Sequence, residues 1–326
     1  MALRYRPMRP EDVRECVEIV RAHPLLGTQY GSVIGDLRSA WLSFLGREAF
    51  RAVVFEDAKD SQLRTAGVGV SVFVSNEFLL EIKTPPSFWI GPALTKRMLH
   101  GDSPLLSDKQ VRQANANGGL NLLAWIDALD AEHLESVDAR AAVLSAFVSE
   151  HRGFLLKELV GQGVSLETLE GAIRSGGLFF SLVDGCYTES LDRSLREVFA
   201  APYLIGLTRE LAMARVGTWI GSLFVYQSPQ FGFRPSEQRL LLAAPQGGTD
   251  ENLAAVLGIS LSAVKKTWRA IYGRVTAKSR GLIPDQVPEE LTSERGKEKK
   301  QRLLVYVREH PEELRPATLW QIVENL

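Results

Sequence analysis

Basic side chains are concentrated on one predicted helix, residues 261–275. Its outward-facing cations are Lys265, Lys266, Arg269 and Arg274. No Asp or Glu occurs between residues 261 and 280, so nothing in this stretch neutralises them. Rows of Lys and Arg bind the phosphate groups of nucleic acids and release the counterions held there. The row therefore predicts phosphate contacts along a DNA backbone.

Capping residues and one glycine place this basic helix behind a shorter helix. Thr249 and Ser260 are good N-caps, which predicts helices over residues 250–257 and 261–275. Gly258 between them can adopt the positive φ of a tight turn. Two short helices joined in this way form a helix-turn-helix, whose second helix enters the major groove of double-stranded DNA.

Residues on the outward face of the basic helix, near its start, are expected to contact the DNA bases. These are Ser262, Ala263, Lys265 and Lys266. On the opposite side, Val264, Trp268 and Ile271 recur at i, i+4 and i+7 and predict an apolar stripe. This stripe would hold the helix from behind.

Residues 233–275 resemble the LuxR-type, or GerE-like, helix-turn-helix without a gap. The matching positions are Pro235, Glu237, Gly247, Ala254, Leu257, Gly258, Ile259, Ser260, Val264, Lys265, Ile271 and Tyr272. The resemblance implies a bacterial transcriptional regulator that binds DNA and is not an enzyme. Asp250 and Glu251 depart from the family pattern, and acidic side chains there would repel phosphates. A scaffold that uses the helix-turn-helix for protein contacts therefore stays open.

Length, composition and charge predict two domains with different roles. The chain has 326 residues, of which 45% are hydrophobic, enough for two buried cores. Its net charge is −1, made up of −4 over residues 1–230 and +3 over residues 231–326. A near-neutral body joined to a basic module is typical of a sensor linked to a nucleic-acid-binding domain.

The predicted fold class is an α/β or α+β sensor domain with a mixed sheet, followed by an all-α domain. We assign residues 1–230 to the sensor, 231–280 to the helix-turn-helix, 281–300 to a linker and 301–326 to C-terminal helices. The sensor would bind a small-molecule effector or a partner. The C-terminal helices would join two copies in a homodimer, or pack back on their own subunit.

Predicted elements alternate along the sensor. Strands are predicted at residues 3–7, 49–57, 66–78, 119–127, 177–185 and 217–229. Helices are predicted at residues 9–22, 34–47, 141–155, 164–173 and, in two parts, 191–213. Residues 83–120 predict a long loop with one short helix, and NGG at 117–119 predicts a turn.

The opening LRYRPMRPEDVRECVEI resembles the first strand and helix of GNAT-type N-acetyltransferases. That family holds the pyrophosphate of coenzyme A with an R/Q-x-x-G-x-G/A loop at a helix start. The sequence from Arg64 to Gly69 matches superficially, but it continues into strand-like residues. An acyl-CoA-binding protein or acetyltransferase with an accessory helix-turn-helix is therefore the alternative function, and we expect no cofactor.

One histidine lies among acidic residues and could bind a metal or relay protons. His133 has Asp127, Asp130, Glu132 and Glu135 around it in sequence. The spacing matches no ligand signature, so we expect an ordinary acidic loop, no metal and no catalytic residue.

Two cysteines and the absence of a long apolar run bear on location. Cys16 and Cys186 cannot form a disulfide framework, and we expect both to be buried free thiols in a reducing compartment. No run approaches the roughly 18 apolar residues that span a bilayer. The sequence therefore predicts a cytoplasmic protein without a membrane partner.

Overall fold

The computed structural model describes residues 3–59, 62–163, 166–174, 176–181, 184–189, 202–215, 217–244, 249–279, 281–283 and 292–315. The chain divides into two units, Met1–Val225 and Tyr226–Leu326. Their hydrophobic cores are separate, since the largest cluster of the second unit runs from Phe231 to Leu314.

The first unit begins with one strand and three helices. Strand β1 is Arg4–Pro7, and the helices are α1, Val13–Ala22, α2, Pro24–Tyr30, and α3, Leu37–Phe44. Short 3-10 turns, Pro10–Asp12 and Gly31–Asp36, lead into α1 and α3. In α1 the valines at i, i+4 and i+7 are buried, which is why this amphipathic segment packs as a helix.

Strands β2, Phe50–Lys59, and β3, Gln62–Val74, pair antiparallel. Three helices then precede the next strand: α4, Asn76–Lys83, α5, Ile90–His100, and α6, Asp108–Ala116. The prediction of a long loop with one short helix over residues 83–120 is therefore wrong. Polar composition concealed α6, whose buried residues are Val111 and Asn115.

The central part of the unit alternates strands and helices. It consists of β4, Leu120–Leu129, α7, Val137–His151, β5, Leu156–Gly163, α8, Leu166–Arg174, β6, Leu178–Ser181, and β7, Cys186–Thr188. Ser136 begins α7 by accepting a hydrogen bond from the backbone N–H of Ala139. N-cap side chains therefore set this boundary.

The last elements of the unit correct two predictions. They are β8, Tyr203–Thr208, α9, Arg209–Met213, and α10, Trp219–Ser222. The predicted helix over residues 191–213 is wrong at β8, because this segment pairs with β5 and β6; residues 190–201 lie outside the described part. The predicted strand over residues 217–229 is wrong at α10, where the Thr218 hydroxyl caps a helix.

The described strands form one mixed sheet in the order β1-β2-β3-β4-β5-β8-β6-β7. The pair β4 and β5 is parallel, and the other neighbouring strands are antiparallel. A parallel pair needs a crossover connection, and α7 supplies it. The prediction of an α/β unit with a mixed sheet is confirmed.

Helices cover both faces of the sheet. On one face α1, α3 and α5 bury Trp41 and Leu94 in the main core. On the other face α7 contributes Ala139 and Ala146 to a smaller cluster with Val53. Val54, the next residue of β2, belongs to the main core, as expected for side chains that alternate across a strand.

The second unit contains the helices predicted from caps and periodicity. They are α11, Pro235–Ala243, α12, Asp250–Leu257, and α13, Leu261–Lys278. Thr249 and Ser260 accept their N-cap hydrogen bonds, and Gly258 has φ 63°. The predicted stripe residues Val264, Trp268, Ile271 and Val275 are all buried. Gly247 and Gly248, predicted to end the first helix, lie outside the described residues.

One further helix closes the second core. Helix α14, Thr292–Glu309, begins inside the segment predicted as a linker. Leu303, Val307 and Leu314 share a cluster with Trp268 and Ile271, so the described C-terminal residues pack on their own subunit. The remainder of the predicted C-terminal helices, residues 316–326, lies outside the described part.

The two thiols differ in environment, and the prediction that both are buried is wrong for Cys186. Cys16 is buried, and burial raises its pKa to about 12, with Asp12 and Glu15 adding to the effect. Cys186 is exposed. Among the described helices, none has both the length and the apolar character that a bilayer crossing requires.

Candidate functional site

The parallel strands β4 and β5 are paired over only part of their length. Their pairing ends at Ala124 and Gly161. Beyond that point β4 stays paired with β3 as far as Leu129, and β5 stays paired with β8 as far as Gly163. The two strands therefore part at their carboxyl ends, and we call the space between them the strand cleft.

A β-bulge in β4 lies where the strand cleft begins. Ala124 and Ile126 pair with consecutive residues of β3, so Trp125 is an extra residue on β4. A bulge bends its strand and increases the local twist, which turns β4 away from β5. The indole N–H of Trp125 donates to the hydroxyl of Tyr30, at 2.7 Å.

Helices α2 and α5 meet on the side of the sheet that Trp125 faces. Tyr30 at the end of α2 is buried, and burial raises the pKa of its hydroxyl, so this group stays protonated. Gly91 in α5 lies against it, because an added Cβ there would overlap the Tyr30 hydroxyl. The phenol is therefore held between the bulge and α5.

A glutamine of β5 binds the start of α5. The side-chain carbonyl of Gln162 accepts a hydrogen bond from the Ile90 N–H at 3.0 Å, and its amide donates to the Phe88 carbonyl at 2.8 Å. Gln162 lies beyond the last residue of β5 that pairs with β4. Its side chain thus occupies one side of the strand cleft and anchors α5 there.

Asp127 lies on β4 beyond the bulge, on the opposite face. It pairs with Gly69, whose added Cβ would meet Val53 Cγ2 at 3.2 Å, so Asp127 points to the face covered by α7. Solvent reaches its side chain although the strand is central. Burial among surrounding protein raises the pKa of its carboxyl to about 6, and the charge of Arg140 opposes that rise.

A carboxyl with this pKa can accept a proton near neutral pH. The usual Asp pKa of about 3.9 would make it a weak base, whereas a value near the working pH makes proton transfer efficient. Perturbed carboxyls in clefts are candidates for functional groups on physical grounds. Asp127 is therefore the candidate general base of the first unit.

The connection from β4 to α7, residues 130–136, is acidic and internally bonded. The backbone N–H groups of His133 and Leu134 both donate to the Asp130 carbonyl, and that of Ser136 donates to the His133 carbonyl. Asp130, Glu132 and Glu135 supply three carboxylates and no glycine occurs in DAEHLES. The N-terminus of a helix by itself attracts anions. Here the loop places three carboxylates just before the N-terminus of α7.

The histidine of that loop belongs to an ion cluster. His133 Nδ1 lies 2.7 Å from Asp130 Oδ1, and its Nε2 lies 3.5 Å from Asp57 Oδ2. Arg64 pairs with Asp130 at 3.0 Å and with Glu132 at 2.9 Å. In the part of the chain that the structure describes, no set of three metal-ligating side chains comes together.

Sequence reasoning found Asp127 only as a neighbour of His133 and missed Tyr30 and Gln162. One usable signal was present, because an apolar strand LNLLAWI that runs into an aspartate places a carboxyl at a strand end. Tyr30 and Gln162 are separated from β4 by long stretches of chain. No local pattern could bring them together.

The residues predicted to contact DNA all lie on α13. Ser262, Lys265, Lys266 and Arg269 are exposed, and Ala263 is half-buried. Arg274 instead forms an ion pair with Glu237, at 3.1 Å, and Glu237 is 3% exposed. The DNA-contacting roles remain predictions, as do the small-molecule effector and the homodimer.

Comparison with known proteins gives structural neighbours only. No protein-family model matches the sequence, and no curated protein matches it. Among solved structures, the histone acetyltransferase HPA2 and related acetyltransferase of Corynebacterium glutamicum is 11% identical, covering 63% of this chain and 95% of its own, with a TM-score of 0.37. A mosquito arylalkylamine N-acetyltransferase like 5b is 18% identical. The match covers 64% of this chain and 100% of its own, with a TM-score of 0.36.

A third neighbour is a spermidine N-acetyltransferase chimera from Vibrio cholerae, 12% identical over 64% of this chain and 96% of its own, with a TM-score of 0.33. The weak GNAT-like resemblance seen in the N-terminal sequence is supported. The resemblance to a LuxR-type regulator is not supported. The prediction of a transcriptional regulator that is not an enzyme is contradicted, because these neighbours are acetyltransferases.

The acidic loop does not fit the pyrophosphate of coenzyme A. In the GNAT pattern, backbone N–H groups at a helix start hold that group. Here the loop before α7 carries Asp130, Glu132 and Glu135, and three of its N–H groups already donate within the loop. The sequence from Arg64 to Gly69 lies within β3, which excludes it as a helix-start loop.

Proposed function

We propose that the first unit is an acyltransferase in which Asp127 acts as general base in the strand cleft. The proposal rests on one observation: Asp127, a carboxyl that solvent reaches, lies on β4 beyond the point where this strand has parted from β5. Its surroundings raise its pKa to about 6, which suits a general base. The reaction class is acyl transfer from a thioester to a primary amine.

Asp127 would remove the proton that the amine must lose. The amine nitrogen attacks the thioester carbonyl carbon and forms a C–N bond, while the carboxylate of Asp127 takes the proton. The C–S bond then breaks, and the leaving thiolate takes a proton from Asp127 or from water. Base catalysis of this kind contributes typically about 10²–10⁴-fold to the rate.

The acyl donor is the point at which this chain departs from the GNAT pattern. Asp130 and Glu132 pair with Arg64, and Glu135 pairs with Arg140, so a diphosphate placed there would compete with these carboxylates for the two cations. We therefore propose a thioester donor without a diphosphate at that position. An uncharged pantetheine-like arm meets that requirement.

The test is formation of an acylated amine, followed by mass spectrometry. S-acetyl-N-acetylcysteamine and acetyl-CoA are offered separately to the full-length protein with a panel of primary amines. We expect product with the short thioester, and Asp127→Asn should lower kcat by about 10²–10³-fold without changing the melting temperature.

The matched control is Asp102→Asn, since Asp102 is an exposed aspartate of the same unit, away from the strand cleft. Full activity in Asp127→Asn would overturn the role of Asp127. Absence of product from both donors with every amine would overturn acyl transfer. A strong preference for acetyl-CoA would overturn the proposed donor class alone.

A further inference from the structure

A second cavity lies at the opposite end of β4 from the strand cleft. It has a volume of about 320 Å³. Its walls come from the end of β3, α6 and the starts of β4 and β5. The residues that line it include Val74, Asn76, Ala114, Asn121 and Lys157.

Asn121 supplies a buried acceptor without a partner. Its side chain is part of a residue that is 4% exposed, and its amide N–H donates to Asn76 Oδ1 at 3.0 Å. Its own Oδ1 has no hydrogen-bond partner among the described residues. A buried acceptor left in this state costs roughly 1–3 kcal/mol, so a ligand that donates to it gains affinity.

Lys157 supplies a cation next to that acceptor. Its ammonium donates to the same oxygen, Asn76 Oδ1, at 3.0 Å. An ammonium carries three N–H donors, so this bond leaves it able to bind an anion. Because Lys157 and Asn121 bond one shared atom, the cation and the buried acceptor lie close together.

We infer that this cavity binds a free α-amino acid with an apolar side chain. The ammonium group of the ligand donates to Asn121 Oδ1, and its carboxylate pairs with Lys157. Val74 and Ala114 give the side chain an apolar wall. A simple carboxylate would leave the Asn121 acceptor unpaired, and inorganic phosphate would bring no apolar group to Val74 and Ala114. A zwitterion with an apolar side chain is therefore the better match.

Calorimetric titration of the full-length protein with L-leucine tests this inference. Two analogues each remove one charge: 4-methylpentanoate lacks the ammonium, and 3-methylbutylamine lacks the carboxylate. We expect saturable binding of L-leucine below about 20 mM and at least about tenfold weaker binding of both analogues. Equal binding of either analogue, stronger binding of inorganic phosphate, or no saturation by L-leucine would overturn it.

Substitutions separate the site from nonspecific binding. Lys157→Gln should weaken L-leucine binding about tenfold, whereas Lys96→Gln, at an exposed lysine of α5, should leave it unchanged. Asn121→Leu removes the buried acceptor and should abolish the preference for L-leucine over 4-methylpentanoate. Since Lys157 is exposed, its variant tests the site even where Asn121→Leu fails to fold. Unchanged binding by Lys157→Gln would overturn the inference.

Discussion

Asp127 owes its properties to the strand that carries it. A carboxylate is stabilised by water, and one placed on a central strand loses part of its hydration, so its pKa rises. The rise to about 6 is limited by the positive charge of Arg140 on α7. Because solvent still reaches the side chain, the proton can exchange with a substrate or with water.

The pH dependence of the reaction should report this carboxyl. A general base acts when deprotonated, so kcat/KM calculated for the unprotonated amine should be constant well above pH 6 and fall about tenfold per pH unit well below it. We expect an apparent pKa near 6 in the rate profile of the full-length protein with the short thioester. Residual activity in Asp127→Asn should lack this inflection, and a wild-type profile flat down to pH 4.5 would contradict the role.

For single residues, the sequence predicted which side chains are chemically reactive better than it predicted which residues they contact. Asp127 and His133 were considered as a possible metal or proton-relay cluster but were expected to form an ordinary acidic loop. The contact between His133 and Asp130 follows from their spacing. The contact between His133 and Asp57 does not, because it depends on the pairing of β2 with the rest of the sheet. That Gly69, which has no side chain, lies across from Asp127 is likewise decided by strand register.

Among the elements, α2 and α5 depend on one close approach. Gly91→Ala should destabilise the first unit by about 1–3 kcal/mol, because the added methyl overlaps Tyr30, a buried residue bonded to Trp125. For a unit of this size, this is a decrease of roughly 2–4 °C in melting temperature per kcal/mol. Thermal unfolding measures it.

The control for that substitution is Gly171→Ala in α8. An added Cβ there meets nothing within 4 Å, and Ala is favoured over Gly in a helix interior. We expect an unchanged or slightly higher melting temperature. If Gly91→Ala melts like the wild type, Tyr30 has room to move and the packing argument is wrong.

In the second unit, α11 and α13 are joined by an ion pair rather than by apolar contacts alone. Arg274→Met should destabilise this unit by about 3–5 kcal/mol, because Glu237 would stay buried without its cation. Glu237 also accepts the Arg234 N–H at 2.7 Å, which holds its carboxylate in place. Denaturant unfolding followed by circular dichroism measures the loss.

Arg269→Met is the matched comparison, since Arg269 is exposed on the same helix. A change within about 0.5 kcal/mol is expected there. Equal effects of the two substitutions would show that burial of Glu237 does not govern the stability of the helix pair.

Local signals explain which elements could be predicted. Thr249, Gly258 and Ser260 act within a few residues of themselves, so the bounds of α12 and α13 were accessible from sequence. Strand β8 forms because two distant strands flank it, and α6 is a polar helix with a short buried side. Those elements are decided by tertiary packing, which outweighs local propensity.

For the whole molecule, two cores imply two cooperative units. Scanning calorimetry of the full chain should show two transitions, since the cluster that contains Trp268 is separate from the one that contains Trp41. Gly91→Ala should lower one transition and Arg274→Met the other. A single transition that moves with both substitutions would contradict this expectation.

The incorrect prediction of a transcriptional regulator also concerned the whole molecule. A motif of 43 residues was used to assign the activity of a chain of 326 residues. Function resides in sites rather than in folds or motifs. The strand cleft lies between β4 and β5, with α2 and α5 on one face of the sheet and α7 on the other, and no single stretch of sequence contains it.

Gln162 carries a consequence for evolution. Its amide bonds the backbone of Phe88 and Ile90, as a neighbouring strand would in a sheet, and in this way it fastens the start of α5. A descendant of the same ancestor whose third and fourth strands were joined directly would give this amide nothing to hold. The glutamine and α5 should therefore be inherited, and lost, together.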